Sequence, residues 1–344
     1  MNEPSWRPPQ PAAGYGEPPA NARPHAAGHE GESRGHGRDG AGTPPASAAP
    51  AGSAPGVTPG GGGPQGQGGS GGGKRAGRDL RAAVGVGLAL GAVIIASLFI
   101  YKPVFLGVIA VAVMVGVWEL CSRLAERKQI QVPMVPLAIG GAAIVVAGYL
   151  RGAAGAWVAL GLTVLVVLLW RMAFSPETYL RDATASVFAA FYVPFLAAFV
   201  ALMLAADDGA WRVLTFLVLV VLSDTGAYAV GWRLGRRKLA PRISPGKTLE
   251  GLAGAISFAM VGGALCFAFL IEDAVWWQGL LMGLAVAICA TLGDLGESMI
   301  KRDLGIKDMG TLLPGHGGIM DRLDSLLPTA PVAWLLYLAF TGAG

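Results

Sequence analysis

Charge is scarce in this chain of 344 residues: Asp, Glu, Lys and Arg make up 14%, against 53% hydrophobic residues and a mean hydropathy of +0.54. A soluble chain of this length could form two domains, but such a composition leaves too little polar surface to cover a globule. Cysteine is scarcer still. Cys121, Cys266 and Cys289 stand singly inside apolar runs, at spacings that fit neither a zinc site nor a disulfide framework. Of the four histidines, His25, His29 and His36 fall in an N-terminal stretch with no fixed scaffold to hold a metal. No apolar segment precedes about residue 80, so no secretory signal is expected. The net charge of +4 is modest, and its placement matters more than its size.

What the chain does have is long apolar runs. Residues 1–73 are rich in Gly, Pro and Ala and are expected to form a disordered cytoplasmic tail, because they bury too little apolar area to offset their ordering entropy. Residues 74–344 read as an all-α, polytopic integral membrane domain of about nine transmembrane helices. The runs lie near 82–100, 103–121, 132–150, 153–173, 184–205, 211–232, 251–271, 275–297 and 326–343. Most reach the ~20 residues needed to cross ~30 Å of hydrocarbon. Alternate loops are basic: Arg123, Arg127 and Lys128; Arg171 and Arg181; Arg233 to Lys247; then Lys301, Arg302, Lys307 and Arg322. The opposite loops carry Arg151 alone, Asp207-Asp208, and Glu272-Asp273. The positive-inside rule then places the N-terminus inside and the C-terminus outside the cell (plasma or inner) membrane.

The polar motifs all fall on the side expected to be cytoplasmic. Asp224, in Ser223-Asp-Thr-Gly-Ala-Tyr228, sits inside an apolar run, where an ionised carboxylate costs about 2.5–3.5 kcal/mol and usually faces a partner or a wet cavity. It reads either as a functional acid or as one side of an interhelical hydrogen bond. Ser244-Pro-Gly-Lys247-Thr248-Leu-Glu-Gly251 contains Gly-Lys-Thr, but Pro241 stands where a phosphate loop needs its first glycine. It reads equally as an anion-binding helix N-terminus and as a capped, basic membrane anchor. Asp294, Ser298 and Lys301 stand at i, i+4 and i+7, on one helical face. Asp321 and Asp324, at i and i+3, can reach one cation if that piece is helical. Hard oxygen ligands of this kind favour Mg²⁺ completed by substrate phosphates. His316-Gly317-Gly318 is a tight turn whose lone histidine cannot build a zinc site with distant cysteines.

Together, Ser298, Lys301-Arg302, Lys307-Asp308, Pro314, His316-Gly317-Gly318, Asp321-Arg322 and Asp324 form a long gapped pattern. It resembles the signature of the CDP-diacylglycerol synthases, the phosphatidate cytidylyltransferases, and the two upstream segments are similar to that family's as well. The resemblance covers roughly residues 80–344. It implies a Mg²⁺-dependent enzyme that transfers CMP from CTP to phosphatidic acid, within the lipid bilayer and with no nucleic-acid partner. A homodimer stays open. The expected catalytic residues are Asp294, Lys301, Asp321 and Lys307. Ser244, Lys247, Thr248, Ser298, Arg302, His316, Gly317, Gly318 and Arg322 are expected to bind substrate. Asp294, Asp321, Asp224 and Asp324 are the candidate ligands for one Mg²⁺ or a two-metal pair. Two rivals predict different features. A transporter predicts inverted repeats and midplane charge, neither of which is apparent. A lipid kinase needs similar phosphate ligands but also a general base for an alcohol.

Overall fold

In hydrocarbon a backbone must satisfy its own N–H and C=O groups, and an apolar run does so as a helix. The computed structural model describes residues 85, 87, 89–272, 274–310, 312 and 317–342. The tail over 1–73, together with Pro314 and His316, lies outside them. The helices are α1 (Ala89–Ile100), α2 (Lys102–Lys128), α3 (Met134–Met172), α4 (Tyr179–Ala190), α5 (Leu196–Ala205), α6 (Gly209–Leu234), α7 (Leu249–Phe269), α8 (Trp276–Asp303), the short α9 (Met320–Leu323) and α10 (Leu326–Thr341). Seven helical stretches among the described residues are long and apolar enough to cross a membrane, and large apolar side chains such as Val221, Val261 and Phe269 line their outer surface. The chain is an all-α, multi-pass membrane protein.

Three elements depart from simple rods. The first is α3. Gly140 stands against the side chain of Thr163, and a Cβ on Gly148 would lie 3.6 Å from that of Ala156. In one straight helix residues 140 and 163 would be about 35 Å apart. The element therefore folds back on itself at Gly152 (φ 68°, ψ −163°), and the expected runs 132–150 and 153–173 correspond to its two antiparallel arms.

The second is the stretch Pro176–Ala205, in which α4 passes into α5 through a π-turn at Phe191–Phe195. Pro194 lacks an N–H and would clash in a regular α-turn, and the wider turn accommodates it. The third is a small antiparallel hairpin between α6 and α7. Strand β1 (Lys238–Ala240) pairs with β2 (Ser244–Thr248), with Lys238 opposite Thr248 and Ala240 opposite Ser244. The Ser-Pro-Gly-Lys-Thr segment, expected as loop, is thus itself a strand running into α7. Glu250 fixes the hairpin's base by accepting the backbone N–H groups of Arg236 (3.0 Å) and Arg237 (3.1 Å).

Helices α6, α7 and α8 pack through small residues. A Cβ at Gly226 would stand 2.6 Å from the Gly254 carbonyl oxygen, and Gly263 of α7 meets Gly279 of α8 backbone to backbone. Such contact lets membrane helices gain dispersion energy without bulky side chains between them. The larger apolar core lies among α2, α3, α5 and α10, around Val117, Leu137, Ile144 and Leu204.

Two sets of polar contacts mark the two ends of the bundle. At one end Lys102 donates to the carbonyls of Ala206 (2.6 Å) and Asp207 (3.1 Å), and Arg212 pairs with Asp208 at 2.6 Å. At the other, Arg171 pairs with the fully buried Asp182, and Lys128 reaches Asp303 at 3.0 Å. The β-hairpin and the polar motifs belong to this second end.

Candidate active site

The C-terminal half of α6, strand β2, the first turn of α7 and the end of α8 enclose a cavity of about 420 Å³. Asp224 opens into it from α6 and Asp294 from α8, with Lys247 entering from β2. Lys247 Nζ lies 2.7 Å from Asp294 Oδ2, and both side chains keep about a quarter of their surface accessible. Asp224 is within electrostatic reach of Asp294 and Asp324, and of the cations Lys247 and Arg322. Thr248 caps α7: its hydroxyl accepts the Gly251 N–H at 3.0 Å, so one helix donor is already used while the residue still borders the cavity. Tyr228 and Trp232 form an outer wall and are largely exposed on the bundle surface.

A second cluster lies beside the cavity. Helix α8 ends at Gly305 (φ 67°), which donates to Arg302 O while Ile306 donates to Lys301 O. This is a Schellman closure, and its left-handed position suits glycine. It turns the chain sharply toward Met309. Lys301, left inside, lies between Glu297 (2.5 Å) and Asp321 (3.1 Å). Asp321 accepts the backbone N–H groups of Met309 (2.9 Å), Gly310 (3.3 Å) and Gly318 (2.9 Å), and a Cβ on Gly317 would come within 3.0 Å of its Oδ2. Its oxygens are thus occupied by a lysine and by the loop it organises. Asp324 lies near the Glu297 carboxylate and accepts Ser325 N–H at 2.8 Å.

The other expected residues are spread along the same end. Lys307 and Arg322 are exposed, with no ion-pair partner among the described residues. Arg302, also exposed, leans toward the Ile243 carbonyl at 3.4 Å. Ser244 and Ser298 are half-buried, Gly317 and Gly318 border the loop held by Asp321, and His316 lies outside the described residues. Sequence reading missed Glu119 on α2. It is 2% exposed and accepts the Met320 N–H at 2.8 Å. The available signal was a carboxylate inside an apolar run, one turn before a basic loop.

Among the described residues no three His, Cys, Asp or Glu side chains converge closely enough to hold an ion together. The donor chemistry nonetheless suits a hard cation. Mg²⁺ needs only one or two protein carboxylates, its other positions going to water and phosphate. Asp294 and Asp224 are the carboxylates that border the open cavity, and Glu297 Oε1 is a buried acceptor with no hydrogen-bond partner among the described residues.

The sequence and its relatives identify the group to which this geometry belongs. The profile of the cytidylyltransferase family matches residues 81–340. The chain belongs to the cytidylyltransferase family. Within it, the chain is 42% identical over 275 residues to a phosphatidate cytidylyltransferase of Mycobacterium bovis, covering 76% of this chain and 89% of that protein. The corresponding protein of Mycobacterium leprae is 42% identical over 278 residues, covering 76% and 88%. That of Haemophilus influenzae is 31% identical over 296 residues, covering 76% and 99%. The family match takes in the cavity, the β-hairpin and the Asp321 loop together.

Proposed function

We propose that this chain transfers CMP from CTP to phosphatidic acid, forming CDP-diacylglycerol and pyrophosphate for phospholipid synthesis. The observation that carries the reading is the Lys247–Asp294 pair, which faces an open cavity whose outer wall, Tyr228 and Trp232, is exposed on the apolar surface of the bundle. A carboxylate, a cation and a lipid-facing wall meet there, as a reaction between a nucleotide and a lipid headgroup requires.

The chemistry asks little covalent work of the protein. An oxygen of the lipid phosphate bonds to the α-phosphorus of CTP, and the bond from that phosphorus to the oxygen bridging the β-phosphorus breaks. Pyrophosphate leaves with the electron pair. The nucleophile is already anionic, so no activated Ser, Cys or His is needed; what matters is alignment and charge. Asp294 and Asp224 would hold Mg²⁺, and Asp324 is the candidate carboxylate for a second ion. When bound, the metal would supply positive charge against the α-phosphate and the departing pyrophosphate. Lys247 exchanges its carboxylate partner for a substrate phosphate, and the exposed Lys307, Arg302 and Arg322 bind the remaining phosphate charge. Ser244, Thr248, Ser298 and the Gly317–Gly318 backbone supply neutral hydrogen bonds, and His316, next to Gly317 in sequence, is assigned to the same substrate. Lys301 and Asp321 hold the loop that carries Lys307. The concentration of basic residues at this end supports a cytoplasmic site in the cell membrane with the C-terminus outside. A homodimer is not required by this reading.

The test is an assay of purified protein in detergent with phosphatidic acid, Mg²⁺ and each α-³²P nucleoside triphosphate. Label from CTP is expected to enter the lipid phase, and EDTA to abolish it. Transfer of γ-label to a lipid alcohol, without α-label, would instead identify a lipid kinase and overturn the proposal.

A further inference from the structure

Helix α2 contributes nothing to the cavity wall, yet it carries a buried carboxylate. Glu119 is the only charged residue of α2 that is buried, and isolated buried charge is unfavourable unless it meets donors. Its Oε2 accepts the N–H of Met320, a residue 201 positions away. Met320 opens the last span, where the first N–H groups of a helix lack intrahelical partners, so Glu119 caps that helix from a different one. One helical turn further along, on the same face, Arg123 Nε donates to the carbonyl of Met309 at 2.7 Å. Glu119 thus holds the signature segment at Met320, and Arg123 holds it at Met309.

The fit between these points is close. A Cβ on Gly310 or on Gly318 would collide with the Glu119 carboxylate, so the side chain lies directly against both glycines. Asp321, next in sequence to the residue Glu119 holds, gathers the N–H groups of Met309, Gly310 and Gly318 from within. The external grip of α2 and the internal grip of Asp321 therefore act on the same backbone. Exposed Lys307 lies just before this segment and Arg322 just after it.

We propose that Glu119, seconded by Arg123, is a positioning residue for the reaction: a clamp from α2 that sets the backbone at Met309–Gly310 and at Gly318–Met320 and thereby the placement of Lys307 and Arg322. The inference rests on the CMP-transfer reading for its catalytic meaning, but the clamp itself is a matter of backbone order.

The test uses the full chain in nanodiscs and compares wild type with Glu119→Ala and Glu119→Gln. In the alanine variant, amide exchange at Met309, Gly310 and Met320 is expected to accelerate about tenfold, as for one lost buried hydrogen bond, while α6 and α7 exchange as before. The kcat for CMP transfer should fall by a similar factor or more. The glutamine variant keeps an oxygen for the Met320 N–H and should restore most of both. Unchanged exchange at these amides, or equal acceleration throughout the bundle, would overturn the clamp, and so would a glutamine variant as defective as alanine. If wild type transfers no CMP but the exchange pattern holds, the reaction assignment fails and the clamp stands. If CMP is transferred and the pattern fails, the clamp alone is at fault.

Discussion

The two lysines of the sequence motif have different environments, and this separates their expected effects. Lys301 is half-buried between the buried carboxylates of Glu297 and Asp321. Replacing it by Met leaves two carboxylates facing one another without a cation, and breaking a buried pair in this way costs about 3–5 kcal/mol. Lys301→Met should therefore lower the melting temperature sharply in detergent. Lys307→Met should leave melting almost unchanged, because surface changes stay within about 0.5 kcal/mol, while reducing turnover. Equal melting temperatures for the two variants would contradict the assignment. Asp294→Asn gives a third contrast. Its pairing with Lys247 is partly wet and worth no more than about 1 kcal/mol, so stability should hold within a few degrees. CMP transfer should nonetheless fall by about 100-fold or more, since the lost charge acts on the transition state. At this scale the gapped signature made the candidate residues legible, but not their division of labour. Asp321 looks like a metal ligand in the sequence because its partners Met309, Gly310 and Gly318 bind it through backbone N–H groups, which leave no mark on side-chain pattern. Glu119 was invisible for a related reason: its partner lies in another helix, far away in the chain.

Helices brought together by glycine have little tolerance for volume. Gly254 of α7 meets the Gly226 carbonyl and the side chain of Val230, so Gly254→Val must push α7 off α6 and widen the cavity between them. Both CMP transfer and thermal stability are expected to drop together. Gly296 of α8 has nothing among the described residues within 4 Å of its added Cβ, and Gly296→Ala should be neutral or slightly stabilising. Similar losses in both variants, measured by thermal unfolding and turnover, would rule out tight packing as the cause. Element existence was largely readable, since hydropathy alone separated the arms of α3 on either side of Arg151-Gly152. The hairpin of β1 and β2 was not. Its strands are short and lie among turn-forming residues, and they are held by Glu250 and by each other rather than by an alternating apolar pattern. The π-turn at Pro194 was equally hidden, because a proline in an apolar run signals a break without saying how the helix absorbs it.

For the whole molecule, the question is which end of the bundle faces which compartment. The contacts divide the chain consistently. Lys102, Ala206, Asp208, Arg212 and Thr341 gather at one end, whereas Glu119, Arg123, Met309, Asp321 and the β-hairpin gather at the other. The second end also holds most of the basic residues without an ion-pair partner among the described residues, Lys307 and Arg322 included, and cations are retained on the cytoplasmic side. The native thiols are poor labelling sites, two buried and one half-buried, so they can be replaced before single cysteines are introduced. Arg237→Cys and Lys307→Cys should react with a membrane-impermeant maleimide only after the cytoplasmic face is opened. Asp207→Cys and Glu272→Cys should react in intact cells. Labelling of Lys307→Cys and Asp207→Cys from the same side would break the orientation, and the reversed pattern would put the cavity on the wrong side of the membrane for cellular CTP. The predicted pattern places Lys247, Asp294 and Asp224 where a soluble nucleotide arrives from the cytoplasm, while Tyr228 and Trp232 open the same cavity to the bilayer. The site can then receive a water-soluble substrate and a lipid from two directions without moving either across the membrane.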